Sequence, residues 1–326
     1  MYLKLDTYFL KPNDVSSIKL FNGTFEKSDN VITRDRMTDV SLVGNGNRLS
    51  VDSTQWSEVE GMTILNFKTG EEGTWVAGVS TLPRNIEMEA EAFNGYLEHD
   101  GVLDMLEWRK ENNALDQDAV EKYSKHVKTI FQVGDKLSDD WKANLGYPIE
   151  FIPLSNPYDI HTGHDMQVQL LWQGKPLANQ LVYVGFKEGA HTHGDGHSHS
   201  HEHGDSHTHS HEHGSEDDHH HDLTQLRTDT EGKITFKITH QGVWYLRTIY
   251  LIASEETGLT HESNWATLTF EVGKGHSHSH SHDEAHDHHH HDHGEEGIFG
   301  LPSYAYWIAS LLIVFALFFW FNRKQK

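Results

Sequence analysis

The chain has 326 residues, no cysteine, 29 histidines and a formal charge of −23 with histidine neutral. The lack of cysteine excludes a disulfide framework and a thiolate metal or redox site. The negative balance, with no basic stripe anywhere, argues against a nucleic-acid partner and favours cations.

In chain order, residues 3–9, 17–25, 62–67 and 74–79 are short β-branched or aromatic segments parted by Asn, Asp and Gly clusters. They predict an N-terminal β domain over residues 1–86. The first nine residues show no charged n-region, apolar run or cleavage site and read as a strand. The expectation is therefore a start further upstream, with a signal peptide. Residues 87–134 read as a helical segment, with helices over 92–97, 102–111 and 118–131. In the last of these, Ala119, Val120, Tyr123, Val127, Ile130 and Phe131 recur at three- and four-residue spacing. Asp116 or Asp118 is its candidate N-cap. On such a helix Glu121 pairs with Lys125 at i+4 on the surface, and His126 is structural.

Strand-like runs follow at 149–154, 166–172, 180–187, 233–239, 243–252 and 265–272, punctuated by turn signals such as Asn156-Pro157 and Asp229 to Gly232. Six strands at this spacing predict an immunoglobulin-like sandwich over residues 146–272. The expected fold class is mainly β. It has two β-sandwich-like domains, a short helical segment between them and one C-terminal transmembrane helix. A His-rich insertion at 189–222, disordered by its composition, interrupts the sandwich between the runs 180–187 and 233–239. Residues 273–303 form a His-rich stalk.

Residues 304–321 carry no charge, and as a helix they extend roughly 27 Å, enough for a hydrocarbon core. Tyr304, Tyr306, Trp307 and Trp320 stand where interface aromatics belong, and Arg323, Lys324 and Lys326 lie in the tail 322–326. The positive-inside rule places that tail in the cytoplasm and the bulk of the chain outside. A tail-anchored protein facing the cytoplasm is the alternative.

The two low-complexity stretches hold most of the histidine. The first contains His191, His193, His197, His199, His201, His203, His207, His209, His211, His213, His219, His220 and His221. The second contains His276, His278, His280, His282, His286, His288, His289, His290, His291 and His293. Residues 197–205 recur almost unchanged at 207–215. Neutral imidazole is the commonest metal ligand, and its pKa near 6.5 leaves it ligand-competent at pH 7. In an extended chain His-x-His places two rings on one side about 7 Å apart, so modest bending closes them on one ion. Overlapping quartets satisfy the tetrahedral demand of zinc, and nickel and cobalt accept the same donors. The expected cofactor is a divalent transition metal (Ni, Co or Zn). Protons compete for the same nitrogens, so loading falls below about pH 6. The contrasting reading is a solvated spacer that merely titrates with pH.

Within the folded part, His161, His164 and Asp165 form a His-x-x-His-Asp cluster before a strand, a candidate ordered metal site. His99, His240 and His261 are isolated and read as ordinary residues. No serine, lysine or carboxylate constellation indicates catalysis, so the chain reads as a non-enzyme.

Several motifs in order carry a resemblance: Glu121-Lys-Tyr-Ser-Lys125, Leu145-Gly-Tyr-Pro-Ile-Glu-Phe-Ile-Pro153, Asn156-Pro-Tyr-Asp159, Gly174-Lys-Pro-Leu177, Thr228-Asp-Thr-Glu-Gly232 and Gly242-Val-Trp-Tyr245. Over residues 1–272 the chain resembles the bacterial family known as domain of unknown function 4198. Some of its members are described as periplasmic components of nickel or cobalt uptake systems. The resemblance implies an envelope β-sandwich protein linked to transition-metal uptake, with a metal permease or receptor as partner and no catalytic residues. It also implies a signal peptide and a His-rich mature start, and this sequence has neither. The functional expectation is a membrane-anchored, extracytoplasmic metal collector. The alternative is a non-catalytic envelope module that binds protein or glycan.

Overall fold

Segments rich in Val, Ile, Thr and aromatic residues, cut by Gly, Asn and Asp, build a mainly β protein with few helices. The computed structural model describes residues 1–59, 61–188 and 223–273, which fall within one unit, Met1–His276. The amino-terminal part contributes β1 (Tyr2–Lys4), β2 (Phe9–Leu10), β3 (Val15–Phe21), β4 (Met37–Gly44), β5 (Asn47–Ser50), β6 (Trp56–Val59), β7 (Met62–Lys68), β8 (Gly73–Thr81) and β9 (Arg84–Met88). Helices α1 (Ala90–His99) and α2 (Leu103–Glu111) precede the long strand β10 (Ala119–Val133). The remainder comprises β11 (Ile149–Pro153), β12 (Asp165–Trp172), β13 (Lys175–Pro176), β14 (Leu181–Glu188), β15 (Thr224–Arg227), β16 (Lys233–Lys237), β17 (Gly242–Ala253) and β18 (His261–Val272).

Three sheets result. One runs β1-β3-β7-β6 and another β11-β12-β13, with β16 also on β12. Between them a ten-stranded sheet runs β15-β14-β17-β18-β10-β8-β4-β5, with β2 and β9 added on β10. β10 pairs parallel with β18, Glu121 opposite His261 through Thr129 opposite Thr269, and antiparallel with β8. Its odd positions Val127, Phe131 and Val133 enter one core with Leu3, Ile18, Leu20, Leu65 and Phe67. Its even position Ile130 enters the other, with Phe151, Val168 and Phe236. One strand serves two cores because successive side chains point to opposite faces. Each fully buried phenylalanine contributes about 1.5–3 kcal/mol.

The helix expected over 118–131 is therefore a strand, and helix is confined to α1 and α2 within the segment 87–134. A strand covered on both faces shows apolar residues on both. Its period of two blurs into the three- and four-residue spacing that a helix would show. Phe93, Leu97, Val102 and Met105 of the helical pair pack on Ile249 and Leu251 of β17. The buried Arg109 donates to Asn94 Oδ1 (2.8 Å) and Gln117 O (2.6 Å).

In the carboxy-terminal part, β11, β12 and β16 face β15, β14, β17 and β18. Taken in chain order, this is the A-B-E against C′-C-F-G arrangement of an immunoglobulin-type sandwich. β15, which the sequence reading missed, pairs with β14, Val184 opposite Thr224. Residues 189–222 thus interrupt a single hairpin, β14–β15, rather than the connection from β14 to β16. The turn before β16 needs glycine: Gly232 has φ +71°, and a Cβ there would lie 2.7 Å from Leu170 O.

Candidate functional site

Asn156 starts the segment that carries the exposed histidines. Its side chain accepts from Tyr158 N (3.0 Å) and donates to Thr74 Oγ1 (2.9 Å), while Tyr158 Oη donates to Ile130 O (2.7 Å). This anchors the β11–β12 loop on β8 and β10. Further along, Gly163 N donates to Ile238 O (2.7 Å), His164 N to His161 O (3.0 Å) and Ile238 N to His164 O (2.9 Å). Gly163 has φ +96°, a conformation that favours glycine. The His161 and His164 rings are both exposed, with centroids 5.7 Å apart and planes inclined at 39°. Among the described residues neither ring takes a hydrogen bond or an ion pair.

Asp165 does not join them. It stands opposite Lys237 in the ladder, with Oδ1 3.5 Å from that ammonium, which also donates to Gly163 O (3.1 Å). Among the described residues no three histidine or acidic side chains gather closely enough to hold one ion. The expected three-residue cluster is a two-histidine pair.

The other histidines have distinct settings. The His240 ring stacks on Phe186 at 4.3 Å, and its Nδ1 lies 2.8 Å from Thr239 Oγ1. His99 is exposed. His261 is buried against Phe93 at 4.6 Å; burial, then the nearby Arg109, push it down to about 4.

His126, read as a structural residue of the helix expected over 118–131, is instead buried on β10 and lines a cavity of about 470 Å³ at the junction of β4, β8, β10, β12 and β18. Its Nδ1 lies 2.9 Å from Ser80 Oγ, and its Nε2 lies 3.0 Å from Ser124 Oγ and 3.3 Å from Asn264 Oδ1. Ser124 Oγ donates to Asn264 Oδ1 (2.9 Å). That bond uses the serine proton, so the network assigns the imidazole proton to Nε2, with Ser80 donating to Nδ1. Burial pushes His126 down to about 4, against the raising influence of Asn264 and Glu150. Across the cavity Asp39 Oδ2 accepts from Tyr147 Oη (2.7 Å), Arg48 Nη2 (3.0 Å) and Ser41 Oγ (2.9 Å). Trp172, Gln173 and Glu262 complete the polar and aromatic wall. The alternation Ser124-x-His126-x-Lys128 signals one strand face, but the partners Ser80 and Asn264 lie 46 and 138 residues away.

Several motif residues are structural. Glu121 is buried and hydrogen-bonded by Ser263, not paired with Lys125 on a helix surface; burial raises its pKa. Asp229 Oδ1 accepts from Glu231 N (2.8 Å) and Lys233 N (2.9 Å), closing the turn at Gly232.

All the histidines of the two tracts, the stalk, the span read at 304–321 and the tail 322–326 lie outside the described residues, apart from Gly273. Among the described residues no helix is long and apolar enough to cross a membrane.

A family model described as "Domain of unknown function (DUF4198)" matches residues 2–251. Solved structures similar to the chain include the D0-D1 domain of intimin, at 12% identity and TM-score 0.18, covering 82% of this chain and 96% of that one. Another is a Corynebacterium diphtheriae protein described as membrane anchored, at 10% identity and TM-score 0.20, covering 84% of this chain and 58% of that one. No curated protein matches the chain.

Proposed function

The chain belongs to the DUF4198 family, and from that premise we propose that it is a non-catalytic transition-metal-binding protein of the bacterial cell envelope. It captures or buffers Ni²⁺, Co²⁺ or Zn²⁺ on its two His-rich tracts and serves a metal-uptake permease or receptor. A single C-terminal span holds it in the membrane with the folded bulk outside and the basic tail in the cytoplasm.

One observation carries this reading: 23 of the 29 histidines alternate with small and acidic residues in two stretches, a donor set for borderline divalent ions. The fold supports it by letting one tract interrupt a hairpin and the other follow the last strand, leaving the cores intact. Calorimetric titration of Ni²⁺, Co²⁺ and Zn²⁺ tests it, comparing the full chain with one whose tract histidines are replaced by asparagine. The expected result is loss of most of the bound equivalents. Unchanged stoichiometry would overturn the reading.

The junction cavity favours a second reading, an envelope module that binds a protein or glycan. Its wall of aromatic, polar and charged side chains, Asp39, Arg48 and Glu262 among them, suits a hydroxyl-bearing sugar ring stacked on Trp172. Titrating cell-wall oligosaccharides against tryptophan fluorescence tests it. Saturable quenching that Trp172→Ala removes supports this reading, and no response at millimolar sugar counts against it.

A further inference from the structure

Strand register brings distant loops of the immunoglobulin-type sandwich to one pole. Glu188 of β14 stands opposite Gly242 of β17, which stands opposite Val272 of β18. Asp165 of β12 stands opposite Lys237 of β16, and β16 turns into β17 over residues 238–241. The β11–β12 loop with His161 and His164, the turn with His240, both roots of the first tract and the root of the second therefore share one end of the sheets. Among the described histidines, only His99, His126 and His261 belong to other parts of the fold.

Resting on the metal-binding reading of the tracts, we propose that His161 and His164 form a separate metal site on the folded unit. It takes one divalent transition ion on two imidazoles, with water in the remaining positions. Two imidazoles on one ion, each with a metal–nitrogen bond of about 2.0–2.1 Å, hold their ring centroids about 5 Å apart. The observed 5.7 Å closes to that value by small torsions of two exposed side chains. The backbone beneath them is already fixed by three hydrogen bonds to or within the turn, so little ordering entropy opposes binding. Neither ring has a competing hydrogen-bond or ion-pair partner among the described residues. The ammonium of Lys237 is turned onto Gly163 O and Asp165. Imidazole donors without thiolate or paired carboxylate select Ni²⁺, Co²⁺ or Zn²⁺ over Mg²⁺ or Ca²⁺. The pair gives the pole a fixed, low-denticity station where an ion exchanges readily.

The test uses the full chain with all 23 tract histidines replaced by asparagine, titrated with NiCl₂. One equivalent is expected to bind. Paramagnetic broadening of amide signals should centre on Gly163, His164 and Ile238. His161→Ala and His164→Ala should each weaken binding at least about tenfold, and the double variant should abolish it. No binding by the tract-substituted chain, or binding that survives the double variant, overturns the site. The otherwise natural chain carrying His161→Ala and His164→Ala separates this from the tract reading. It should keep its multi-equivalent capacity, and if that capacity collapses, the tract reading falls instead.

Discussion

Lys128 Nζ donates to Glu150 Oε1 at 2.8 Å, with both side chains about 2% exposed or less. The lysine also donates to Ala143 O (2.8 Å) and Phe151 O (3.1 Å). The carboxylate accepts from Leu145 N (2.7 Å), Gly146 N (3.1 Å) and Tyr147 N (3.3 Å). The pair ties β10 to β11 and folds the intervening loop around itself. Desolvating two charges is costly, so the pair persists because every partner is in place.

Removing one member leaves the other buried and uncompensated. Lys128→Met should destabilise the fold by about 3–5 kcal/mol. Lys128→Met combined with Glu150→Leu should cost less than the two single changes added together. Urea unfolding followed by tryptophan fluorescence measures both. A single-variant loss below about 1 kcal/mol would contradict the burial described here.

His126 sets an acid limit. Its pKa falls from the ordinary 6.5 to about 4 on folding, chiefly through burial. Above about pH 6.5 the ring is neutral in both states and stability is unaffected. Between pH 6.5 and 4 the unfolded chain protonates first, so stability falls as pH falls. The loss is about 2 kcal/mol at pH 5 and about 3 kcal/mol once pH passes below 4. His261 acts in the same direction, whereas Glu121 and Glu271, raised by burial, act oppositely. The difference between the natural chain and His126→Gln, unfolded in chelator from pH 4 to 7, isolates the His126 contribution. Parallel stability curves would refute it.

Gly232→Ala should destabilise by more than about 1 kcal/mol, because alanine is strained at φ +71° and its Cβ meets Leu170 O. Gly146→Ala is a useful control: φ is +77° there, but no atom lies within 4 Å of the added carbon. Thermal melts should rank Gly232→Ala below Gly146→Ala. Equal melting temperatures for the two variants would mean that the backbone angle, not the close approach, dominates.

Asp165→Asn should change nickel affinity at the His161–His164 pair by less than about twofold, since the carboxylate is held by Lys237. A tenfold loss in the tract-substituted chain would restore Asp165 as a ligand.

Metal loading of the whole chain should fall steeply between about pH 7 and 5 as protons displace the ions. Equilibrium dialysis against buffered Ni²⁺ reads this directly. A flat profile would point to carboxylate rather than imidazole ligands.

The contrast between β14 and β10 shows which features were legible. β14 is a short strand rich in Val, Tyr and Phe between turn signals, and that composition announces a strand. β10 is covered on both faces, so Val127, Ile130 and Phe131 are all buried although they face different cores. The spacing imitates a helix. Its β-branched content, Val120, Val127, Thr129, Ile130 and Val133, was the available signal for a strand. The His126 cavity was illegible for a different reason: its hydrogen-bond partners come from β8 and β18, and no local pattern encodes that meeting.

By itself the sequence determined the mainly β class, the cysteine-free chemistry, the two histidine tracts and the family. These follow from composition and local period, which need no knowledge of distant neighbours. Only the tertiary structure decided that β10 serves two cores and that Asp165 belongs to Lys237. It also decided that His161, His164 and the roots of both tracts share one pole. Those relations are set by long-range strand register, in which a residue's partner is fixed by packing and backbone pairing rather than by its place in the chain.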